Sequence, residues 1–418
     1  MANGKPIFYD EERRRWKRTR RVLEITGALF AFIAVVFVIN VLRKPDLPEL
    51  LLPDTRPLLR GIRSTKNIKA VVLRHGRKKR IAGLGQQPDH YDPLRAAFYE
   101  NGDPSGFASL QQHYRDLDLL IPEGLKTVTP DGKLDIDIDP KIADWMHTSG
   151  VELPVMPLLQ NSDGVVWHIQ EMAQMLERPG ARSALIAAIV RYEVAQHDFG
   201  VALDFEQVPD ASQNDFKKFV QEFAKALHEQ NLKLMVALPA ADWAYDYKGI
   251  AQACDAVILM NYDQHWLTSP PGPIAAQDWY LTNLTKILEL VPREKLVMGI
   301  ANYAYDWPEK SKSVPHPVGS ALSYQGAVVR AVESDADITF DPDALNPHYS
   351  YVDESNVVHR VWMLDGVTAY NELRAAEHEG VRGTVVWRLG SEDPSMWFIW
   401  DSTHPTDADR DKMTDLPP

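Results

Sequence analysis

Eight short apolar runs, separated by segments with helical patterning, constrain this chain more than any other feature. They are Arg95–Tyr99, Leu117–Ile121, Leu153–Leu159, Gly200–Glu206, Lys233–Leu238, Ala256–Tyr262, Leu296–Tyr303 and Gly383–Leu389. Several are apolar almost without a break, which suits parallel strands buried on both faces rather than strands with one face in water. Between them lie amphipathic segments such as Gln213–Gln230, where Phe216, Phe219, Val220, Phe223 and Leu227 fall on one stripe behind Ser212 as a cap. Eight strand–helix repeats predict an α/β fold, a (β/α)8 TIM barrel over residues 94–400. A doubly wound open sheet is the alternative, but no Gly-rich phosphate loop follows any of the runs. Between Tyr305 and Asp365 a short helix (Gln325–Glu333) and a hairpin-like pair (His348–Val352, Val357–Met363) interrupt the last repeat. They predict a small α+β insertion before the last strand, of the kind that walls a substrate cleft.

The single Cys among 418 residues excludes a disulfide scaffold, a cysteine zinc site and an iron–sulfur cluster. Cys254, where a helix meets a buried run, reads as a small core residue. No His-x-x-x-His pair occurs, so neither a metal nor another cofactor is expected. The net charge of −13 is unevenly spread: residues 1–44 carry 10 Lys/Arg against 4 Asp/Glu. The remaining body is more acidic still and repels polyanions, so nucleic acid is not an expected partner.

Residues 25–42, ITGALFAFIAVVFVINVL, are free of charge and follow seven basic residues between Arg13 and Arg21. This predicts a basic cytoplasmic tail (1–24) and one transmembrane helix (25–42) with everything after it outside, rather than a cleaved signal peptide. Residues 43–93 read as a stalk, Pro-rich at first and basic between Arg60 and Arg80; 401–418 read as an acidic linker or tail.

Catalytic groups of such a barrel sit at the carboxyl ends of its strands. The fourth run, GVALDFEQV, sets Asp204 and Glu206 two residues apart, so both side chains share a face. Carboxylates that close repel, which raises one proton affinity and makes a donor near neutral pH. The sixth run ends in Met260-Asn261-Tyr262-Asp263, and the eighth in Trp387-Arg388-Leu389-Gly390, where an indole can floor a sugar site. Tyr99 and Tyr303, at the ends of the first and seventh runs, are further candidates for binding. Tyr303, Tyr305 and Trp307 read equally well as sugar platforms or as core of the insertion, as do Trp243 and Tyr245 after the fifth run.

These residues resemble glycoside hydrolase family 18, the chitinase-like barrels, whose fourth strand carries Asp-x-x-Asp-x-Asp-x-Glu. The resemblance extends to MNYD, to the Trp of the last strand and to essentially all of Leu94–Trp397. The stretches AFYENGDPSGFASLQQHYRDLDLLIPEG and VTAYNELRAAEHEGVRGTVVWRLGSEDPSMW look closest to the family-18-like domain of large bacterial membrane proteins. There it precedes a polysaccharide deacetylase and a family 2 glycosyltransferase domain. The resemblance therefore implies an N-terminal piece of a longer inner-membrane protein, single-pass type II, with the barrel on the periplasmic or extracellular side and those domains as partners.

By the same resemblance Glu206 is the general acid/base. Asp204 orients the substrate's N-acetyl group, whose carbonyl oxygen attacks the anomeric carbon, and Tyr262 hydrogen-bonds that group. Asp263 supports the carboxylates, Trp387 stacks under the −1 sugar, and Met260, Asn261, Tyr99 and Tyr303 complete the substrate site. The implied substrate is a β-1,4-linked polysaccharide containing N-acetylglucosamine, chitin-like or peptidoglycan, cleaved with retention. Two positions depart from the motif: Phe199 stands at its first Asp and Ala202 at its middle one, while Asp198 is one place early and faces the other way. A catalytically weak or silent glycan-binding barrel, and an interaction scaffold of the cell envelope, are the competing readings. Leu134–Pro140, LDIDIDP, imitates the motif without its Glu; Asp139 before Pro140 reads as a helix cap.

Overall fold

The computed structural model describes residues 93–310 and 314–400. The expected basic tail, the transmembrane helix at 25–42, nearly all of the 43–93 stalk and the 401–418 tail lie outside the described residues. Among those described, no helix is long and apolar enough to cross a membrane.

Eight parallel strands close into a barrel. In chain order they are β1 (Leu94–Tyr99), β2 (Leu119–Lys126), β4 (Leu158–Gln160), β5 (Gly200–Asp204), β6 (Lys233–Pro239), β7 (Ala256–Met260), β8 (Leu296–Ala301) and β14 (Gly383–Trp387). Each pairs with the next around the ring, and β1 closes it against both β14 and β2. All eight expected strands are present, with ends shifted by a few residues. The two-residue β3 (Asp135–Ile136) adds antiparallel to β2.

The alternation along β5 explains its sequence. Val201, Leu203 and Phe205 point outward into the layer of helices, while Ala202 points into the barrel core. The helix after β5, Gln213–His228, carries the predicted stripe; Phe205 stacks on its Phe219 with ring centroids 5.6 Å apart. Ser212 does not cap this helix as expected, because it lies in a 3-10 turn and its side chain makes no cap bond. Gly200 opens β5 with φ +153°, and a Cβ there would meet the Lys233 carbonyl oxygen at 2.0 Å, so only glycine lets β5 and β6 approach.

The insertion is a five-stranded antiparallel sheet in the order β10 (Ser320–Ser323), β9 (Tyr303–Pro308), β13 (Val358–Met363), β12 (Pro347–Val352), β11 (Thr339–Phe340), with a helix over Tyr324–Glu333. The helix and the β12–β13 hairpin stand where the sequence put them. The difference is at Leu296–Tyr303, which reads as one strand: β8 stops at Ala301, and beyond Asn302 the chain turns into β9 of the second sheet.

Candidate active site

At the carboxyl end of the barrel a cleft of about 600 Å³ is lined by Asp204, Glu206, Gln207, Met260, Tyr262, Asp263 and Trp387, together with residues of the first three repeats and of β9. Its centre is Asp204, 4% exposed. Gln160, paired with it across β4–β5, donates from Nε2 to Asp204 Oδ2 at 3.0 Å, while Oδ1 has no protein partner. Burial raises Asp204 to about 6, and the Gln160 bond offsets part of that rise.

Glu206 stands one turn of the pleat further out. Asn161, fully buried, grips its backbone on both sides: the Glu206 N–H donates to Asn161 Oδ1 at 2.9 Å, and Asn161 Nδ2 donates to the Glu206 carbonyl at 3.1 Å. Burial first, then the charges of Asp204 and Asp263, holds the Glu206 carboxyl well above the ordinary glutamate range. Of the two carboxyls Glu206 is thus the one whose proton its surroundings favour, beside a neighbour that also lies above its ordinary range.

Asp263 follows β7 with φ +60°, a left-handed conformation that Asp tolerates better than most residues. Two tyrosine hydroxyls from β9 hold it there: Tyr303 and Tyr305 both donate to Asp263 Oδ1, the latter at 2.8 Å. Burial raises the Asp263 carboxyl while these two bonds lower it. Tyr303, Tyr305 and Trp307 alternate along β9, so their rings form a ladder with edge-to-face contacts of 5.1 and 5.4 Å between centroids. Of the two open readings of this trio, Tyr305 lines the cleft, whereas Tyr303 and Trp307 are packed behind it. Tyr303 reaches the site through Asp263. Tyr262 packs edge-on against Tyr303, and burial holds its hydroxyl well above the ordinary tyrosine range. Trp387 lies across the floor against Phe98, 5.1 Å between centroids.

Besides Tyr303, which lies behind the cleft, two of the expected residues stand apart from it. Tyr99 is fully buried on the outer side of β1, and its hydroxyl donates to Asp139 Oδ2 at 2.9 Å. The pleat puts its neighbour Phe98 inward instead. Asp139 itself caps the following helix, as read, by accepting from the Lys141 N–H at 3.0 Å. Asn261 is buried on the outer side of β7, donating to the Tyr280 carbonyl and accepting from Asn283 Nδ2, both at 3.0 Å. It ties the barrel to its next helix. Cys254 lies in the outer core, where burial pushes its thiol up to about 12.

The sequence reading missed Gln160 and Asn161, signalled only as polar residues closing an apolar run. It also missed Trp167 and Trp266, which put indoles on the rim of the cleft, Trp266 about half exposed. Glu123 was missed too, a carboxyl near the end of β2. Among the described residues, no group of three or more His, Cys, Asp or Glu side chains is arranged to hold a metal ion.

The barrel and its sequence are similar to known proteins. The chain is 30% identical over 213 residues to the uncharacterized glycosylase YvbX of Bacillus subtilis (strain 168), covering 48% of this chain and 59% of that protein. It is 27% identical over 212 residues to the cortical fragment-lytic enzyme of the same organism, covering 48% of each. The chain thus spans about half the length of the curated relatives it matches. Among solved structures, a chitinase from Chromobacterium violaceum ATCC 12472 superposes with a TM-score of 0.66 at 23% identity, covering 78% of this chain and 100% of that one, which shows a shared fold. The family model for glycosyl hydrolases family 18 matches residues 168–393. That stretch holds more than half of the sequence together with Asp204 and Glu206, and the chain therefore belongs to glycosyl hydrolases family 18.

Proposed function

We propose that this barrel hydrolyses β-1,4-linked polysaccharide containing N-acetylglucosamine, by substrate-assisted retention. The observation that carries this reading is the Glu206–Asp204 pair: two carboxyls two residues apart in one cleft over Trp387, Asp204 held by Gln160 and Glu206 fixed at its backbone by Asn161, with burial and neighbouring charge raising Glu206 well above the ordinary glutamate range. Glu206 protonates the glycosidic oxygen. Asp204, with Tyr262, holds the acetamido group so that its carbonyl oxygen attacks the anomeric carbon; Glu206 then takes a proton from the incoming water. Asp263 adds negative charge near the developing positive charge on the sugar. Met260 shapes the floor beside Trp387, and Trp167 and Trp266 offer ring faces to sugars further along the cleft. The names of the relatives, a chitinase and a cortical fragment-lytic enzyme, support a substrate of this class, chitin-like or peptidoglycan.

The uncharged 25–42 segment and its basic flank support an anchor in a bacterial inner membrane with the barrel outside. The likeness of the 97–124 and 367–397 stretches to deacetylase–glycosyltransferase fusions supports partner domains of that kind. A second reading, a barrel that holds glycan without cutting it, draws on Phe199 and Ala202 at two motif positions.

The test is proton NMR of the full-length protein with N-acetylglucosamine oligomers and, separately, peptidoglycan strands. Retention predicts that the new reducing ends appear first as the β anomer. First appearance of the α anomer contradicts substrate assistance; binding with no new reducing ends supports the silent barrel.

A further inference from the structure

The motif position filled by Ala202 is not the end of the carboxylate account. Glu123, Leu158 and Ala202 are paired across β2, β4 and β5, so their side chains form one row on one face of the sheet. Leu158 and Ala202 belong to the barrel interior, as do Leu119 and Ile121 earlier on β2. Glu123 continues that inward alternation at the mouth. Immediately after it the register shifts, and Leu125, which strict alternation would turn inward, packs in the outer layer. Gly124 makes the irregularity at φ +138°, where a Cβ would sit 2.7 Å from Ile138 Cα. A bulge beside a cleft re-aims a side chain; here it interrupts β2 with Glu123 lining the cleft that holds Asp204 and Glu206, and pairing resumes at Leu125 and Lys126.

The groups facing Glu123 come from every neighbouring element. Glu100 and Arg388 stand at the ends of β1 and β14, joined by an ion pair of 2.5 Å that Arg388 also extends to Asp103. Lys126 and Asp137 pair with each other at 3.1 Å on the β2–β3 side. Asp204 at the end of β5, Glu206 just beyond it and Asp263 after β7 line the same cleft. Burial, then the charges of Glu100 and Asp204, raise Glu123 to about 7, while Arg388 and the Asn101 backbone N–H lower it.

We propose that Glu123 is a positioning residue for Asp204: from β2 it supplies, in the row of Ala202, the neighbouring carboxyl that keeps the proton while Asp204 carries the charge. A carboxyl at that place can ionise or stay neutral in answer to Asp204, which the methyl group of Ala202 cannot.

The kinetic part of the test rests on the hydrolytic reading above, and the titration part does not. In the full-length chain with carbon-13-labelled glutamate carboxyls, NMR follows Glu123 against pH, its signal identified by loss in Glu123→Gln. Asp204→Asn, or Asp204→Ser should Asn disturb the fold, is expected to lower the Glu123 midpoint by about half a pH unit or more. A midpoint unmoved in the variant overturns the proposal, whether or not the wild type cuts glycan. With N-acetylglucosamine oligomers, Glu123→Gln is expected to lower kcat about tenfold with KM within about twofold. Ala202→Asp added to Glu123→Gln is expected to recover most of that loss. Failure of the double variant to improve on the single one overturns the proposal, whereas an inactive wild type overturns the hydrolytic reading and leaves the titration to decide.

Discussion

At the scale of single residues, the site depends on which carboxyls keep their protons. In the proposed mechanism Asp204 is ionised to hold an acetamido N–H, and burial raises it to about 6; Glu206 is the proton donor, and burial with its neighbours' charge raises it well above its ordinary range. Activity is therefore expected to rise as pH passes through about 6 and to fall only when Glu206 loses its proton, so kcat/KM against pH is a bell displaced to the alkaline side. A bell whose acid limb lies at an ordinary Asp value near pH 4 would contradict that assignment. The backbone grip of Asn161 on Glu206 is the second residue-scale claim. Asn161→Ala removes a donor and an acceptor from a buried backbone and is expected to destabilise the fold by about 1–3 kcal/mol. It is also expected to lower kcat more than it raises KM. Denaturant unfolding and steady-state kinetics on one preparation separate the two effects.

At the scale of elements, the period of the strand decides who reaches the cleft. Phe98 faces in and Tyr99 out; Tyr262 faces in and Asn261 out. The Tyr99 hydroxyl serves the cap of the helix at Pro140–Ser149 through Asp139. Tyr99→Phe is accordingly expected to cost stability, about 1 kcal/mol, and to leave hydrolysis unchanged. A drop in kcat with unchanged stability would put Tyr99 back in the site. The same period made much of the fold readable in advance. Eight apolar runs gave the eight barrel strands, and Asp204 and Glu206 were separated from Phe205 by alternation alone. What stayed hidden depends on contacts between elements far apart in sequence. Gln160 meets Asp204 across 44 residues, and Tyr303 meets Asp263 across 40. Local patterning also does not show that a run such as Leu296–Tyr303 changes sheets at a buried Asn, because both halves are equally apolar. Glu123 was concealed for a related reason: the bulge at Gly124 that aims it is invisible in a string reading IPEG.

At the scale of the whole molecule, two further buried carboxyls tie stability to pH. Glu193 and Glu372 lie in helices of the outer layer, fully buried, and neither carboxyl has a hydrogen-bond partner in the protein. Burial pushes Glu193 up to about 9, and Glu372 well above its ordinary value. Both are raised, so the native state keeps protons that the unfolded chain releases above about pH 4. Their contribution is fully present below that pH and is lost as pH climbs toward the native values. The protein is expected to lose stability steadily between about pH 5 and 9, and Glu193→Gln to flatten part of that slope. Denaturant midpoints across this range check it; a slope unchanged in the variant assigns the pH dependence elsewhere.

The central claim is that Glu206 is the acid of a glycosidase, and the most direct test is product mass spectrometry of N-acetylglucosamine oligomers incubated with the wild-type chain and with Glu206→Gln. The variant keeps the shape of the side chain and its backbone grip while removing the proton it donates. Shorter oligomers are predicted from the wild type, with the rate falling about 100-fold or more in the variant. Oligomers left intact by both proteins, or cut equally by both, would contradict it.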